Sequence, residues 1–296
     1  MNRFRNACLT PKEFVITAEV APPKGGDPHH MIEMGRLLKN RVHAVNVTDG
    51  SRAVLGMSSL ASCAILQHHG IEPILQVACR DRNRIGLQAD LLGAHALGIR
   101  NILALTGDPV KAGDHPEAKA VFDFESVRLL QAIDKLNHGL DWNEKTLPQG
   151  GTDLFPGAAV DPQSPSWSGL KSRFNRKLKA GARFFQSQLI TDFDRLYKFM
   201  NQIGSETDQP ILAGIFLLKS AKNARFINKY VPGVNIPDPI IDRLEKAPHP
   251  LEEGVKIAAE QVQIARQICR GVHLMAVKRE DLIPQILDAA GIPPLG

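Results

Sequence analysis

The chain has 296 residues, of which 43% are hydrophobic and 23% charged, and its formal net charge is +5. This is the composition of a globular protein with ample material for a core, sufficient for one α/β barrel or for two smaller domains. The basic residues are scattered and only 5% of residues are aromatic, so the sequence does not indicate a nucleic-acid-binding surface and at most favours anionic small molecules.

The cysteines and the first residues of the chain indicate the cellular compartment. The four cysteines form no Cys-x-x-Cys pair: Cys8, Cys63, Cys79 and Cys269. Their spacing argues against a disulfide framework or a zinc site and suits a reducing compartment. The first residues carry no apolar signal segment, and no stretch approaches the roughly 20 apolar residues of a membrane span. We therefore expect a cytoplasmic protein without a membrane partner.

Short apolar strands alternate with helical patterns along nearly the whole chain. The predicted strands are Val15–Val20, His43–Val47, Pro73–Val77, Asn101–Leu105, Phe155–Val160, Phe184–Ile190, Ile211–Phe216 and Val272–Val277. A helical pattern follows each strand, and the first helix is predicted near 29–39 with Asp27 as its N-cap and Pro28 as its first helical residue. A polar, turn-rich stretch near 110–151 predicts an insertion, and a broken connector is predicted at 232–239.

Eight strands, each followed by helix, predict a single (β/α)8 TIM barrel over residues 1–296. The competing fold is an open doubly wound sheet. No Gly-x-Gly-x-x-Gly pattern follows a predicted strand and no P-loop occurs, so the usual nucleotide fingerprints of open sheets are missing.

The first strand carries a carboxylate, Glu19, just before its end, and the strand is stopped by Pro22-Pro23-Lys24-Gly25-Gly26. A buried, unpaired carboxylate costs several kcal/mol or becomes neutral through a raised pKa. In a barrel this end of the strand faces the mouth where chemistry occurs. Glu19 is therefore a candidate catalytic residue, although capping of the next turn or pairing with Lys24 explains the local pattern equally well.

Polar residues also follow the other strands. The candidates at the strand ends are Thr48, Asp49, Gln76, Cys79, Arg80, Asp81, Asp108, Asp161, Gln188 and Asp192. Polar groups that converge on an apolar mouth predict a small-molecule pocket, and no cluster has metal-ligand spacing. Glu19 and Asp108 would face one cavity, where one carboxyl can donate a proton while the other stays ionised. On pattern alone, the position of Asp108 before Pro109 slightly favours a turn role.

Five motifs in order resemble the methylenetetrahydrofolate reductase family. They are Glu19-Val20-Ala21-Pro22-Pro23-Lys24-Gly25, Val47-Thr48-Asp49-Gly50, Leu105-Thr106-Gly107-Asp108-Pro109, Ala180-Gly181-Ala182 with Gln188, and Gly271–Arg279. The resemblance runs from about residue 12 to about residue 291. Each motif alone is weak, whereas five in the right order on a barrel pattern are specific.

The resemblance implies a barrel with a flavin at its mouth that reduces 5,10-methylenetetrahydrofolate to 5-methyltetrahydrofolate. It implies that Glu19 is the general acid that opens the methylene bridge, that Asp108 lies near the flavin pyrimidine and the pterin, and that Gln188 hydrogen-bonds the pterin. The other cofactor positions that it implies are Thr48, Gln76, Thr106, Gly107, Asp161, Arg173 and Lys177. The implied cofactor is FAD, with FMN as the alternative, and the implied electron donor is NADH or NADPH.

The chain departs from the family pattern at several site positions. Gln76 stands where a histidine is frequent, Thr106 where an arginine is frequent, and Ala221 where an aromatic residue stacks on the nicotinamide; the fifth strand also lacks a tyrosine at its end. Alternatives therefore stay open: a flavin-independent reductase of the same family, or a barrel subunit that takes electrons from a protein partner. A homo-oligomer is equally compatible with the sequence. A lyase acting on a phosphorylated substrate would need a Schiff-base lysine, but Lys24 and Lys219 lie beyond the strands.

Overall fold

Eight parallel strands close into a barrel in which each strand pairs with the next and the last pairs with the first. The computed structural model describes residues 2–231 and 233–296; Met1 and Pro232, the first residue of the predicted connector, lie outside the described residues. The strands are β1 (Val15–Val20), β2 (Ala44–Val47), β3 (Pro73–Ala78), β4 (Asn101–Leu105), β5 (Phe155–Val160), β6 (Phe184–Leu189), β7 (Ile211–Phe216) and β8 (Gly271–Met275). The predicted fold class is confirmed. Strands β1, β4, β5 and β7 have the predicted bounds, β2, β3 and β6 differ by one residue at one end, and β8 differs by one and two residues at its two ends.

Helices surround the barrel. They are α1 (Arg3–Leu9), α2 (His29–Leu38), α3 (Ser59–His68), α4 (Arg84–Ala96), α5 (Ser126–Asn137), α6 (Trp167–Lys179), α7 (Phe193–Gln202), α8 (Ala221–Tyr230), α9 (Asp238–Lys246), α10 (Pro250–Ile268) and α11 (Ile283–Ala289). The predicted start of α2 is wrong by one position, because Pro28 is the N-cap residue. The Asp27 carboxylate accepts the N–H of His29 in a turn that precedes the helix. No helix within the described ranges is long and apolar enough to cross a membrane.

The segment between β4 and β5 is the longest connection that contains a single α-helix. It holds a short 3₁₀ turn at Val110–Ala112, then α5, then a loop closed by one bridge between Leu140 and Thr146. Trp142 of this loop packs on Phe124 with ring centroids 4.5 Å apart, and its backbone N–H donates to the Gln88 side chain. The loop is therefore packed against α4 and α5.

Side chains alternate along each strand, so the barrel has an outer and an inner apolar region, and a third apolar cluster lies around α8 and α9. Outward-facing residues such as Ile16, Ala18 and Val45 pack against the helices. Inward-facing residues nearest the N-terminal ends of the strands form a separate cluster, here called the lower layer. The lower layer consists of Val15, Ala44, Ile74, Leu103, Phe155, Phe184 and Leu212.

Helix α1, which the sequence patterns did not indicate, packs against the lower layer and closes that end of the barrel. Phe4 is fully buried, and its ring lies edge-on to Phe184 with centroids 4.9 Å apart. The cap of α1 is not local: the carboxylate of Glu72 accepts the backbone N–H groups of Arg3 (2.8 Å) and Phe4 (3.2 Å). A helix capped by a residue 69 positions away leaves no local start signal.

We expect Phe4→Ala to lower the free energy of unfolding by about 3–5 kcal/mol, because it empties a fully enclosed site at the barrel end. Leu9→Ala is the matched control on the same helix: Leu9 is 56% exposed, and its loss should cost no more than about 0.5 kcal/mol. Urea unfolding of both variants measures the difference. Equal stability of the two variants would show that α1 does not seal the barrel.

Candidate active site

Four polar side chains fill the middle of the barrel, directly above the lower layer. We call Thr17, Asn46, Gln186 and His273 the interior polar chain; each is at most 4% exposed. Asn46 and Gln186 exchange a reciprocal pair of amide hydrogen bonds across the barrel, at 2.7 and 3.1 Å. The Gln186 Nε2 also donates to Thr17 Oγ1 (3.1 Å), which lies 3.0 Å from His273 Nδ1. The chain therefore runs unbroken from β2 through β6 and β1 to β8.

Glu19 lies two residues beyond Thr17 on the same face of β1, at the mouth end of the interior polar chain. Its side chain is 21% exposed, and its Oε2 is 4.0 Å from His273 Nε2. The alternative pairing of Glu19 with Lys24 is wrong, because Lys24 instead contacts Asp114 at 2.5 Å. Among the described residues, Glu19 has no arginine or lysine within salt-bridge distance and accepts no backbone hydrogen bond. Its carboxyl group therefore lies in the mouth without a lysine or arginine partner among the described residues.

Gln188 lies at the mouth end of β6, where the strand is irregular. The register between β6 and β7 shifts between Gln186 and Leu189. Ser187 fills the gap: its hydroxyl accepts the N–H of Gly214 and donates to the carbonyl of Gln188. The Gln188 side chain is exposed and has no hydrogen bond to any described residue. Its amide can therefore bind a ligand without breaking an internal contact.

Asp108, Gly107 and Thr106 at the end of β4 hold neighbouring segments together. One Asp108 oxygen accepts the N–H of Arg52 at 2.7 Å, and Thr106 Oγ1 accepts the N–H of Ser126 at the start of α5. Gly107 has φ +96°, and a Cβ there would come within about 3.2 Å of both Ala78 and Arg80. Asp108 remains exposed at the mouth, so its contact with the β2 loop leaves its second oxygen accessible.

Several predicted mouth residues instead cross-link the loops around the mouth. Asp49 accepts the N–H of Ala78 and pairs with Arg82. Arg80 is 5% exposed. Its guanidinium group donates two hydrogen bonds to the Asp81 carboxylate, at 2.7 and 2.8 Å, and a third to the carbonyl of Gly50.

Two further predicted residues have structural positions. Asp192 caps α7 by accepting the N–H of Arg195 at 2.9 Å. Burial raises the pKa of the Cys79 thiol to about 12, so this thiol stays protonated at neutral pH and is a poor nucleophile.

Small residues occupy the β3–β5 side of the mouth. Ala78 ends β3, Ala159 lies near the end of β5, and Gly107 follows Leu105, the last residue of β4, and packs closely against Ala78 and Arg80. Thr48, just after β2, and Gln76 on β3 are both buried.

Two cations lie at the end of β5, on the same side. Lys177 Nζ donates to the carbonyl of Ala159 at 2.7 Å, and burial lowers its pKa. Arg173 donates to the hydroxyl of Ser164 at 2.8 Å, and Asp161 accepts the N–H of Gln163 in a turn. In this structure Arg173 is therefore partnered by the Ser164 hydroxyl and Lys177 by the Ala159 carbonyl.

Sequence reasoning missed two features of this site. The first is the interior polar chain; its signal was a polar residue at an inward position of each of four apolar strands. The second is the link between loops at Asp114. Its Oδ2 contacts Lys24 and its Oδ1 accepts the N–H of Leu55 at 3.0 Å, so the loops after β1, β2 and β4 are tied together. Hydrogen bonds from Lys24, His115 and Leu55 hold the pKa of Asp114 well below its usual value.

Comparison with known proteins identifies relatives over almost the whole chain. The family described as "Methylenetetrahydrofolate reductase" matches residues 4–291. A probable methylenetetrahydrofolate reductase (NADPH) from Caenorhabditis elegans is 26% identical over 95% of this chain and 43% of its own length. A 5,10-methylenetetrahydrofolate reductase from Pectobacterium carotovorum is 23% identical over 94% of this chain and 91% of its own length. Methylenetetrahydrofolate reductase 2 of Schizosaccharomyces pombe is 28% identical over 76% of this chain and 37% of its own length. The chain thus spans less than half the length of these eukaryotic relatives.

Solved structures share the fold. An uncharacterized protein from Clostridium thermocellum, described as binding two copies of 5-methyl-5,6,7,8-tetrahydrofolic acid, superposes with a TM-score of 0.65. It is 13% identical, and the match covers 97% of this chain and 99% of that one. Tryptophan synthase from M. tuberculosis superposes with a TM-score of 0.53 at 12% identity, over 97% of both chains. At these identities the likeness shows the barrel fold alone.

We expect Asp114→Asn to speed hydrogen exchange at the Leu55 amide about two- to fivefold, the range of an exposed ion pair. Because the folded pKa of Asp114 is depressed, the link is fully present above about pH 4 and weakens as pH falls through the lower folded value. Exchange measured from pH 7 downward and corrected for intrinsic rates should show this acid loss in the wild type only. Asp153→Asn, which breaks the exposed Arg5 pair, is the control. Unchanged Leu55 exchange in Asp114→Asn would contradict the link.

Proposed function

The chain belongs to the methylenetetrahydrofolate reductase family, and we propose that its barrel mouth reduces 5,10-methylenetetrahydrofolate to 5-methyltetrahydrofolate with electrons that reach the substrate through a bound flavin. The observation that carries this proposal is Glu19: a lone carboxyl group in the mouth, without a cationic partner among the described residues. Family membership supports the reaction. The open mouth, with the exposed Gln188 and Asp108 side chains, supports a small polar substrate.

Proton donation from Glu19 is the first role that the geometry supports. When protonated, Glu19 can donate to N10 of the folate as the bond between N10 and the bridging methylene carbon breaks. The remaining iminium at N5 is the electrophile, and a hydride delivered to its carbon completes the methyl group. General acid catalysis of this kind is typically worth about 10²–10⁴-fold in rate.

Gln188 and Asp108 would orient the pterin. The Gln188 amide can donate and accept at once, which matches the alternating donors and acceptors of a pterin edge. The exposed Asp108 oxygen can accept from an amino group and an adjacent ring N–H. Its other oxygen is held by Arg52, so the carboxylate is already fixed before substrate arrives.

A flavin would supply the two electrons as hydride when bound. On the β2–β5 side, we assign Thr48, Gln76, Thr106, Gly107 and Asp161 to the ring and sugar region and Arg173 and Lys177 to the phosphate region. Asp108 would lie where ring and substrate meet. FAD is the proposed form, with FMN as the alternative.

The source of the electrons has two candidates. The name of the Caenorhabditis elegans relative specifies NADPH, which supports a pyridine nucleotide. Ala221, in contrast, is only 7% exposed at the start of α8 and offers no ring for a nicotinamide to stack on. This observation favours a protein electron donor as the second candidate. Anaerobic addition of NADPH or NADH to the flavin-loaded protein distinguishes the two.

The activity test uses the purified protein with FAD reduced by dithionite, so that the natural donor does not matter. Anaerobic incubation with 5,10-methylenetetrahydrofolate should yield 5-methyltetrahydrofolate, identified by mass. Glu19→Gln should lower this rate by about 10²–10⁴-fold, since an amide cannot act as the acid. Glu33→Gln on α2, where Glu33 is 68% exposed, is the control. No product from the wild type would refute the proposed reaction, and a normal rate in Glu19→Gln would refute the role of Glu19.

The cofactor assignment has its own test. We expect Lys177→Met to retain less flavin through purification, because the side chain keeps its apolar stem but loses its charge. Lys179→Met removes an exposed charge from the same helix and should retain the wild-type amount. The visible flavin absorption per protein measures both. Equal flavin content in the two variants would argue against Lys177 as a phosphate ligand.

A further inference from the structure

The interior polar chain has a direction that follows from counting donors and acceptors. Gln186 Oε1 accepts from Asn46, and both hydrogens of Gln186 Nε2 are used, one on Asn46 Oδ1 and one on Thr17 Oγ1. Thr17 Oγ1 therefore already accepts one hydrogen bond and still has its own proton to donate. Two acceptors are in reach of that proton: His273 Nδ1 at 3.0 Å and the carbonyl oxygen of Val272 at 3.5 Å.

The nearer acceptor determines the tautomer of His273. If the Thr17 hydroxyl donates to Nδ1, then Nδ1 is bare and the neutral ring carries its hydrogen on Nε2. If the ring takes a second proton, Nδ1–H can donate to Thr17, whose hydroxyl turns to the carbonyl of Val272. Both of these states keep the hydrogen on Nε2, whereas a neutral ring protonated on Nδ1, with Thr17 turned to Val272, would leave Nε2 bare. Nε2 is the atom that faces the Glu19 carboxyl group at 4.0 Å.

We propose that His273 is a positioning residue that presents an Nε2–H group to the Glu19 carboxylate formed when the acid gives up its proton, and that Thr17, held by Gln186 and Asn46, fixes this tautomer. The proposal rests on the proposed function, in which Glu19 is the proton donor. A donor aimed at the developing carboxylate stabilises the product of the proton transfer more than its reactant, and such a difference accelerates the step. The barrel interior supplies the donor without placing a fixed cation beside Glu19.

No other titratable side chain competes for this position among the described residues. The inward positions on the neighbouring strands are Asn46 on β2 and Thr48 directly after it, Gly214 and Phe216 on β7, and Gln186 and Gln188 on β6. On the loops after β1, β7 and β8, three of the charged side chains have other partners. Lys24 pairs with Asp114, Lys219 donates to the carbonyl of Val277, and Arg279 pairs with Asp281. Among the inward positions named here, together with those of β1 and β8, Glu19 and His273 are the titratable side chains.

The first test is independent of activity. In protein labelled with ¹⁵N-histidine, two-bond proton–nitrogen correlations distinguish a ring protonated at Nε2 from one protonated at Nδ1. The His273 signals are those of the ten histidines that vanish in His273→Gln. We expect the Nε2–H form in the wild type and in Thr17→Ser, which keeps the hydroxyl, and a mixture of tautomers in Thr17→Val.

Two results of this test would overturn the proposal. An Nδ1–H ring in the wild type would mean that Thr17 accepts from Nδ1 and donates elsewhere, either to the carbonyl of Val272 or to a reversed Gln186 amide, and that Nε2 is bare. An unchanged tautomer in Thr17→Val, with the fold intact by circular dichroism, would show that Thr17 does not select it. Either result leaves the proposed reaction standing, because neither concerns product formation.

The second test separates positioning from packing. In His273→Gln the amide nitrogen replaces Nε2 and can still donate toward Glu19, whereas in His273→Asn the amide reaches only toward Thr17. We expect His273→Asn to lower kcat about tenfold, part of what general acid catalysis supplies. The alkaline limb of its pH profile should move to higher pH, because the Glu19 carboxylate loses a hydrogen-bond donor that stabilises it. His273→Gln should keep the alkaline limb at the wild-type pH and most of the wild-type kcat.

If His273→Asn and His273→Gln lose the same amount of kcat and the alkaline limb of the pH profile does not move, His273 has only a packing role and the proposal is refuted. Absence of product from the wild-type enzyme would instead refute the proposed function. The two failures are therefore distinguishable.

Discussion

The structure depends on one constraint: polar groups that are buried inside a barrel must satisfy one another. Each unpaired amide or hydroxyl there would cost on the order of 1–3 kcal/mol. Asn46, Gln186 and Thr17 meet this requirement by bonding across the barrel from three strands, and the chain ends at His273. Because every link joins a different strand, the register of those strands must be correct before the chain can form. The site is therefore built into the barrel itself and not only into its loops.

Two other features make this arrangement workable. Beneath the polar chain, the lower layer and α1 exclude water from the N-terminal end of the barrel, so the polar groups have no competing partner there. Above it, the basic residues of the mouth are largely occupied. Arg80 and Arg82 pair with carboxylates, and Lys24 holds the loops through Asp114. Glu19 is consequently placed beside a histidine and not beside an arginine or lysine.

Much of the fold was predictable because it rests on local patterns. The apolar strands and their spacing gave the barrel, and β1, β4, β5 and β7 have the bounds that their residues predict. Helix α1 was not predictable in the same way, since its capping group is Glu72, which adjoins β3 in the sequence. Local pattern also does not reveal ion pairs between loops, so Arg80 and Asp49 were interpreted as mouth residues although they cross-link loops.

The candidate site was predictable in part. The position of Glu19 at the end of a strand was sufficient to place it in the mouth, and Gln188 lies where the motif suggested. His273 belongs to one of the sequence motifs, but the sequence alone assigned it no role. The role that we propose depends on Thr17 and Gln186, which lie 256 and 87 positions away in the chain. Hydrogen bonds across a barrel join residues that no periodicity connects, and only the closed structure brings them together.

A crystal structure with bound 5-methyltetrahydrofolate would test the central claim most directly, namely that the mouth above the interior polar chain is the folate site. We predict that the pterin lies between Gln188 and Asp108, that Glu19 faces N5 and N10 of the folate, and that His273 lies behind Glu19. A ligand bound elsewhere, for example in the cavity of about 320 Å³ beside Arg3, His43 and Glu72 at the opposite end of the barrel, would contradict it. So would a folate in the mouth with Glu19 directed away from it.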